Sequence, residues 1–255
     1  MTSDGDDFFK YQFQRLAVRV VAEDARAKEA RRQMCGALAV AFEAAGEYLL
    51  TIGHIFGSGR VDGTSAFGNG DDGLVGLGHL STTALSLILG TVELLEHRNT
   101  YAASALTRQL VEVEYLSWAF AEDLDEAASW LRSDRQERLK RWQPRHLRDR
   151  SNGRFRGADY SEHCEIGGHP SPQGIRALIA GCTDQTIELL FTEAALHGTS
   201  AWNYTLAAVS DYCGRNQLAE MPLPDGVAEA VITAAAAWDE HDHLASTWNF
   251  VARSR

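Results

Sequence analysis

Apolar residues recur along this chain at intervals of three and four, the spacing of one helix face. Phe9, Phe13, Leu16, Val20 and Ala27 hold that spacing among mixed charges, which predicts a charged helix over 7–32. Leu38, Phe42, Leu49 and Ile52 continue it as a more apolar helix over 33–56. The segment 57–73 then brings six glycines and almost no aliphatic side chains, the composition of a flexible loop. It lacks the lysine and the spacing of a phosphate-binding loop. Leu85, Leu89, Val92 and Glu96 stay in register in a helix predicted over 80–97, and Asn99 or Thr100 is placed to cap the next one.

That next helix, 101–122, carries two apolar bands. Leu106, Leu110, Val113 and Phe120 form one, and Tyr101, Ala105, Tyr115 and Ala119 form the other, so it reads as central. A helix over 125–143 should end at Pro144, since proline disfavours helix just before it. Residues 144–171 read as irregular. Ser171 and Pro172 then open a helix that Gly198 stops, and helices over 200–216 and 225–250 follow. The expected architecture is all-α, a single bundle of about seven helices. Residues 1–56 supply its N-terminal helices, 57–73 are the best candidate junction, and 74–255 form the core, as one domain overall.

Composition adds limits. The chain has 255 residues and a net charge of −11, so the surface as a whole repels nucleic acid and anionic lipid, and any anion site must be local. The uncharged stretch 74–92 holds His79, Ser81, Thr82, Thr83 and Ser86, which is too polar for lipid and fits a buried helix. The acidic start MTSDGDDFFKYQFQ has no signal-peptide pattern, and the four cysteines show no C-x-x-C pair. Cytoplasmic location with free thiols is expected, with no membrane contact and no cofactor. Arginine far exceeds lysine, which reads as codon bias of a GC-rich genome; only its placement is informative.

That placement is uneven. Residues 132–156 hold ten cations against three acids, a local charge of +7, while the rest of the chain sums to −18. Arg132, Arg135, Arg138, Arg141 and Arg145 fall three or four apart, which predicts one helix face, with Arg148 just beyond. Trp130, Leu131, Leu139 and Trp142 can face the core from the same helix. Guanidinium forks suit phosphates, so Arg132, Arg135, Arg138, Arg141, Arg145 and Arg148 are the candidate nucleic-acid-binding residues. The alternative is that these arginines pair with acids of the chain itself, for which 182–255 supplies ten, or with a dimer mate.

Histidines lie close by. Arg141 precedes His146 by five positions and Arg156 precedes His163 by seven. The tract from Tyr160 to Pro172 gathers His163, Cys164 and His169 beside glycines, without the four ligands of a zinc site. It reads equally as a structured turn. Arg108 and Glu112 lie one turn apart on the central helix, either as an intrahelical ion pair or as part of a buried polar site. The run from Asp239 to His243 contains one Glu-x-x-His, whereas di-iron bundles need two, so an acidic solvated face is expected and no metal.

The sequence Ala-Leu-Thr-Arg108-Gln-Leu-Val-Glu112, then an arginine-rich helix, then Tyr160 through His169-Pro-Ser-Pro, resembles a family of HEPN-like helical proteins of bacteria, over roughly residues 80–200. The resemblance implies that Arg108, Glu112 and His169 meet in one polar pocket between helices. The pairs Arg141/His146 and Arg156/His163 match the R-x(4–6)-H pattern of HEPN-type endoribonucleases. In that family, Arg and His position and polarise a phosphodiester without metal. The candidate catalytic residues are therefore Arg108, Glu112, His169, Arg141, His146 and His163. The expected function is nucleic-acid association, as RNA binding or metal-independent RNA cleavage of a defence or toxin type. The alternative is a non-catalytic helical scaffold or oligomerisation module, with a homodimer as its partner state.

Overall fold

A computed structural model describes residues 24–56, 70–155, 171–172, 174–175, 183–218 and 226–242. The elements are α1 (Ala25–Ile55), α2 (Asp72–Glu96), α3 (Thr100–Glu122), α4 (Asp125–Arg132), α5 (Arg135–Arg141), α6 (Pro144–Arg150), α7 (Asp184–Arg215) and α8 (Val227–His241). The all-α class is the observed one. Residues 7–23 and 57–69, to which part of the first helix and most of the expected loop were assigned, lie outside the described residues.

Helix ends follow local hydrogen bonding. The Asp24 carboxylate accepts from the amides of Arg26 and Ala27, both at 2.9 Å, and starts α1. No break separates the charged stretch from the apolar one near residue 33: the change in composition falls inside one continuous helix. Helix α2 starts at Asp72, well before the expected Leu80, because Asp71 accepts from the amides of Gly73 and Leu74. Glycines inside α1 and α2 are packing residues. A Cβ on Gly78 would lie 2.8 Å from Leu50, one on Gly53 2.8 Å from Val75, and one on Gly46 2.9 Å from Thr82. These three contacts run in opposite chain directions, so α1 and α2 are antiparallel at close approach. Asn99 caps α3 as expected, and Arg98 turns the chain in a left-handed conformation (φ 59°).

The single helix expected over 125–143 is two. Ser133 turns its hydroxyl onto the Trp130 carbonyl, and Asp134 caps a new start through the Glu137 amide at 2.8 Å. Short polar side chains compete for backbone in this way and interrupt helices. Helix α5 ends at Arg141, shortly before Pro144, and Gln143 is extended as the residue before a proline prefers to be. Pro144 is itself the first residue of α6, where its missing amide costs no hydrogen bond. Residues 144–150 are thus helical rather than irregular. Ser171 does cap a turn, accepting from the Gly174 amide. Helix α7, however, has its own cap at Thr183 and runs through Gly198 to Arg215. Gly198 is there for closeness, since a Cβ would meet Leu38 at 2.9 Å.

Four long helices, α1, α2, α3 and α7, close a ring: α1 packs on α2, α2 on α3, α3 on α7, and α7 on α1. Arg31 meets Glu188, Cys35 meets the Phe191 carbonyl, and Phe42 meets the Trp202 ring edge-on at 5.5 Å, so α1 and α7 run parallel. Arg98 with Asp184, and Glu114 with His197, set α3 parallel to α7 as well. Parallel neighbours need a long return connection, and the segment between α3 and α7 supplies it, with α4 against α2 and α6 against α3. Met34, Leu38, Phe42, Ile88, Phe120, Phe191 and Trp202 fill the interior. By length and composition alone α1 and α2 are apolar enough to cross a bilayer, and about half of each such stretch is buried inside the bundle.

One charged cluster is inside the protein. Arg31, with no exposed surface, donates from Nε and Nη2 to Asp242 at 2.7 and 2.8 Å and from Nη1 to Glu188 at 2.9 Å. Arg32 adds a second pair to Glu188 at 2.8 Å, and the Trp238 indole donates to Asp242 at 2.7 Å. The cluster joins α1, α7 and the end of α8. The expected acidic solvated face near Asp239–His243 is present at Asp239 and Glu240, which are exposed, but not at Asp242, which is buried with its counter-charge supplied by α1.

Two substitutions separate close packing from plain helix preference. In Gly76→Ala the new methyl would sit 2.7 Å from the Ala127 carbonyl of α4, and the urea midpoint should fall by the equivalent of about 1–3 kcal/mol. Gly36→Ala meets nothing within 4 Å and should gain about 0.5–1 kcal/mol. Removing one member of the buried pair, Asp242→Ala, should cost about 3–5 kcal/mol in the same assay, while Arg31→Met with Asp242→Leu recovers much of that loss.

Candidate anion-binding surface

The arginine-rich segment is divided among three short helices, with extended backbone at Ser133, Asp134 and Gln143 between them, so its cations do not share one continuous helix face. Several are placed by partners of their own. Arg132, at the end of α4, donates from Nε to the buried Asp72 at 2.6 Å. Arg138 donates to the Ser133 carbonyl and so holds the α4–α5 junction. Arg141 pairs with Glu137 at 3.1 Å and lies 4.3 Å from the Trp142 ring centre. Arg150 binds Glu126 through both terminal nitrogens, at 2.8 and 3.1 Å. Arg154 donates to the Tyr204 hydroxyl at 3.1 Å, while its neighbour Phe155 stacks on Tyr115 at 4.0 Å. Arg148 is half-buried on α6.

Internal pairing is therefore real; among the described residues it includes the acids Asp72, Glu126 and Glu137, and Arg154 reaches α7 through the neutral Tyr204 hydroxyl. Among the described residues Arg135, Lys140, Arg145 and Asp149 take part in no ion pair or side-chain hydrogen bond, and all four are exposed. The apolar side of the segment is also only partly as expected: Trp142 is buried, whereas Leu139 is 42% exposed.

Glu126 organises this surface. Its carboxylate accepts from Arg150 twice and from the Trp142 indole at 3.0 Å, with Arg141 Nη2 at 3.8 Å. Two guanidinium groups are thereby held at one carboxylate, beside an open depression of about 500 Å³ lined by Lys140, Arg141, His146, Asp149 and Arg150. Arg141 and His146, five positions apart in sequence, thus line one depression from the end of α5 and the first turns of α6. Sequence reading passed over Glu126, because nothing in its own neighbourhood marks the first turn of a short helix as a collecting point for residues up to 24 positions away.

The second candidate group is resolved in part. Arg108 Nη2 donates to Glu112 at 2.7 Å, a half-buried pair within α3. His163, His169, Cys164 and Arg156 lie outside the described residues. Sequence reading missed a further pair: His197 Nδ1 is 2.6 Å from Glu114 Oε2, bridging α3 and α7. Among the described residues no group of three or more His, Cys, Asp or Glu side chains is arranged to hold a metal ion. Cys35 sits in the core, where burial pushes its thiol up to about 12, which makes it a packing residue.

Comparisons of the chain with family models, with curated proteins and with solved structures find no match. What this surface does is to be inferred from its chemistry alone.

Glu126→Ala should release Arg150, Arg141 and the Trp142 indole together and lower stability by about 1–2 kcal/mol in thermal or urea unfolding. The effect is limited because Arg141 and Arg150 remain partly solvated. Glu137→Ala, which breaks only an exposed one-turn pair, should stay within about 0.5 kcal/mol.

Proposed function

We propose that this is a cytoplasmic, HEPN-like helical protein that binds RNA, or another phosphate-bearing ligand, on the face formed by α5 and α6. One observation carries the reading: Lys140, Arg141, His146 and Arg150 line one open depression, flanked on the same two helices by exposed Arg135 and Arg145. From Asp134 to Arg150, with Glu126 included, cations still exceed acids by three, in a chain whose net charge is −11. Such a surplus acts at short range, since salt screens it beyond about 8 Å. It favours a ligand that brings its phosphate into the depression. A long phosphate track is disfavoured, because Arg132, Arg138 and Arg154 are committed to Asp72, Ser133 and Tyr204.

The catalytic form of the reading places Arg141 and His146 at the same phosphate. Arg141 would stabilise charge on the phosphoryl oxygens, and His146 would act as acid or base, without metal. Arg108 and Glu112 do not contribute to this depression; they pair on α3. A non-catalytic scaffold is the second reading. It is favoured by the ties Asp72–Arg132 and Glu126–Arg150, which spend two arginines on fastening the segment internally.

Fluorescence anisotropy with a short labelled single-stranded RNA tests the choice. Binding at micromolar protein is expected, with a logarithmic salt slope of about −1.4 to −2.1 for two or three neutralised phosphates. Lys140→Glu with Arg145→Glu should weaken it by about tenfold or more without unfolding the protein, since neither side chain holds a partner. Loss of RNA on incubation in EDTA that disappears in His146→Ala supports the catalytic form. Absence of any salt-dependent binding overturns the RNA reading and leaves the scaffold.

A further inference from the structure

A phosphate site gains nothing from a carboxylate on its wall, yet Asp149 lines the same depression as Lys140, Arg141, His146 and Arg150. Its position is not explained by pairing. Arg141 and Arg150 are oriented by Glu137 and Glu126 and not by Asp149, while both stay partly exposed. Asp149 is exposed and forms no ion pair or side-chain hydrogen bond among the described residues, although Arg145 lies one turn before it on α6. It is not a cap either, since the residue after α6, Ser151, folds its hydroxyl onto the Arg148 carbonyl. An ionised carboxylate offers acceptors only. Next to a bound phosphate it repels the ligand unless the ligand also presents a hydrogen-bond donor close to that phosphate.

RNA carries such a donor at every nucleotide. The ribose 2′-hydroxyl adjoins the 3′-phosphate, both donates and accepts, and is the group by which a protein tells RNA from DNA. Resting on the RNA-binding reading above, we infer that Asp149 is a specificity-determining residue: its carboxylate accepts a hydrogen bond from a ribose 2′-hydroxyl whose neighbouring phosphate is held by Lys140 and the two Glu126-oriented arginines. The same side chain disfavours DNA, which brings the negative charge without the donor. Discrimination thus comes from one attractive and one repulsive element at a single position. The charge-assisted bond lies in an open depression, so water competes for it and the selectivity expected is about tenfold, well short of what a closed site achieves.

The experiment compares one sequence in three forms, as RNA, as DNA and as 2′-O-methyl RNA, by anisotropy at fixed salt. The methylated form keeps the ribose oxygen and puts a methyl group where the donor hydrogen was. RNA should bind about tenfold tighter than either of the others. In Asp149→Ala the DNA affinity should rise and the three affinities should converge; circular dichroism confirms the fold, which an exposed and unpaired side chain does not support. Equal affinities in the unaltered protein overturn the inference while leaving nucleic-acid binding intact. So does a variant that strengthens all three ligands alike, since the carboxylate then only repels. If none of the three binds and Lys140→Glu changes nothing, the RNA reading itself fails.

Discussion

A guanidinium group with no exposed surface must find all of its hydrogen-bond acceptors inside the protein. Arg31 does so with Asp242 from the end of α8 and Glu188 from α7, so one side chain of α1 fixes two other helices in position. Apolar packing alone tolerates sliding by a turn, whereas a two-pronged charged contact does not. Replacement by well-packed apolar groups could match its stability; what the cluster adds is register. Phe42 against Trp202 and Leu38 against Gly198 follow from that alignment, because they lie farther along the same two parallel helices.

The parallel course of α7 beside both α1 and α3 has a topological result. A chain leaving α3 at one end must return to the other end before α7 begins. The returning segment is where the positive charge is concentrated, and α4, α5 and α6 lie along its first part. Their attachment is largely polar: Asp72 takes Arg132, Glu126 takes Arg150, and the Trp142 indole joins the same carboxylate. The cations therefore have two jobs. Some fasten a weakly apolar segment to the bundle, and the remainder, Arg135, Lys140 and Arg145, face solvent.

Helical class and the approximate positions of the long helices were legible because periodicity of apolar residues survives in every core helix. Helix ends were less so, for a physical reason: glycine and proline each have two uses. Gly198 looked like a stop but serves close approach between helices, and Pro144, which follows one helix end, is also the start of the next helix. The buried cluster was not legible at all. Arg31 and Asp242 are 211 positions apart, and each reads locally as one more charge on a helix surface. The depression was half legible, since the spacing of Arg141 and His146 was noted, while the roles of Glu126 and Asp149 depend on how three short helices fold back on one another.

In bundles whose helices alternate up and down, the dipoles of neighbouring helices cancel. Here three of the four ring helices point the same way, so the amide ends of α1, α3 and α7 gather at one pole and their carbonyl ends at the other, each contributing about half an elementary charge. Asp24, Asn99 and Thr183 answer the amide pole with side-chain oxygens. The molecule is in this sense an electrical lever with a lengthwise axis. Its reach is short, since salt screens it and it fades within the end turns, so it acts on groups seated at either pole.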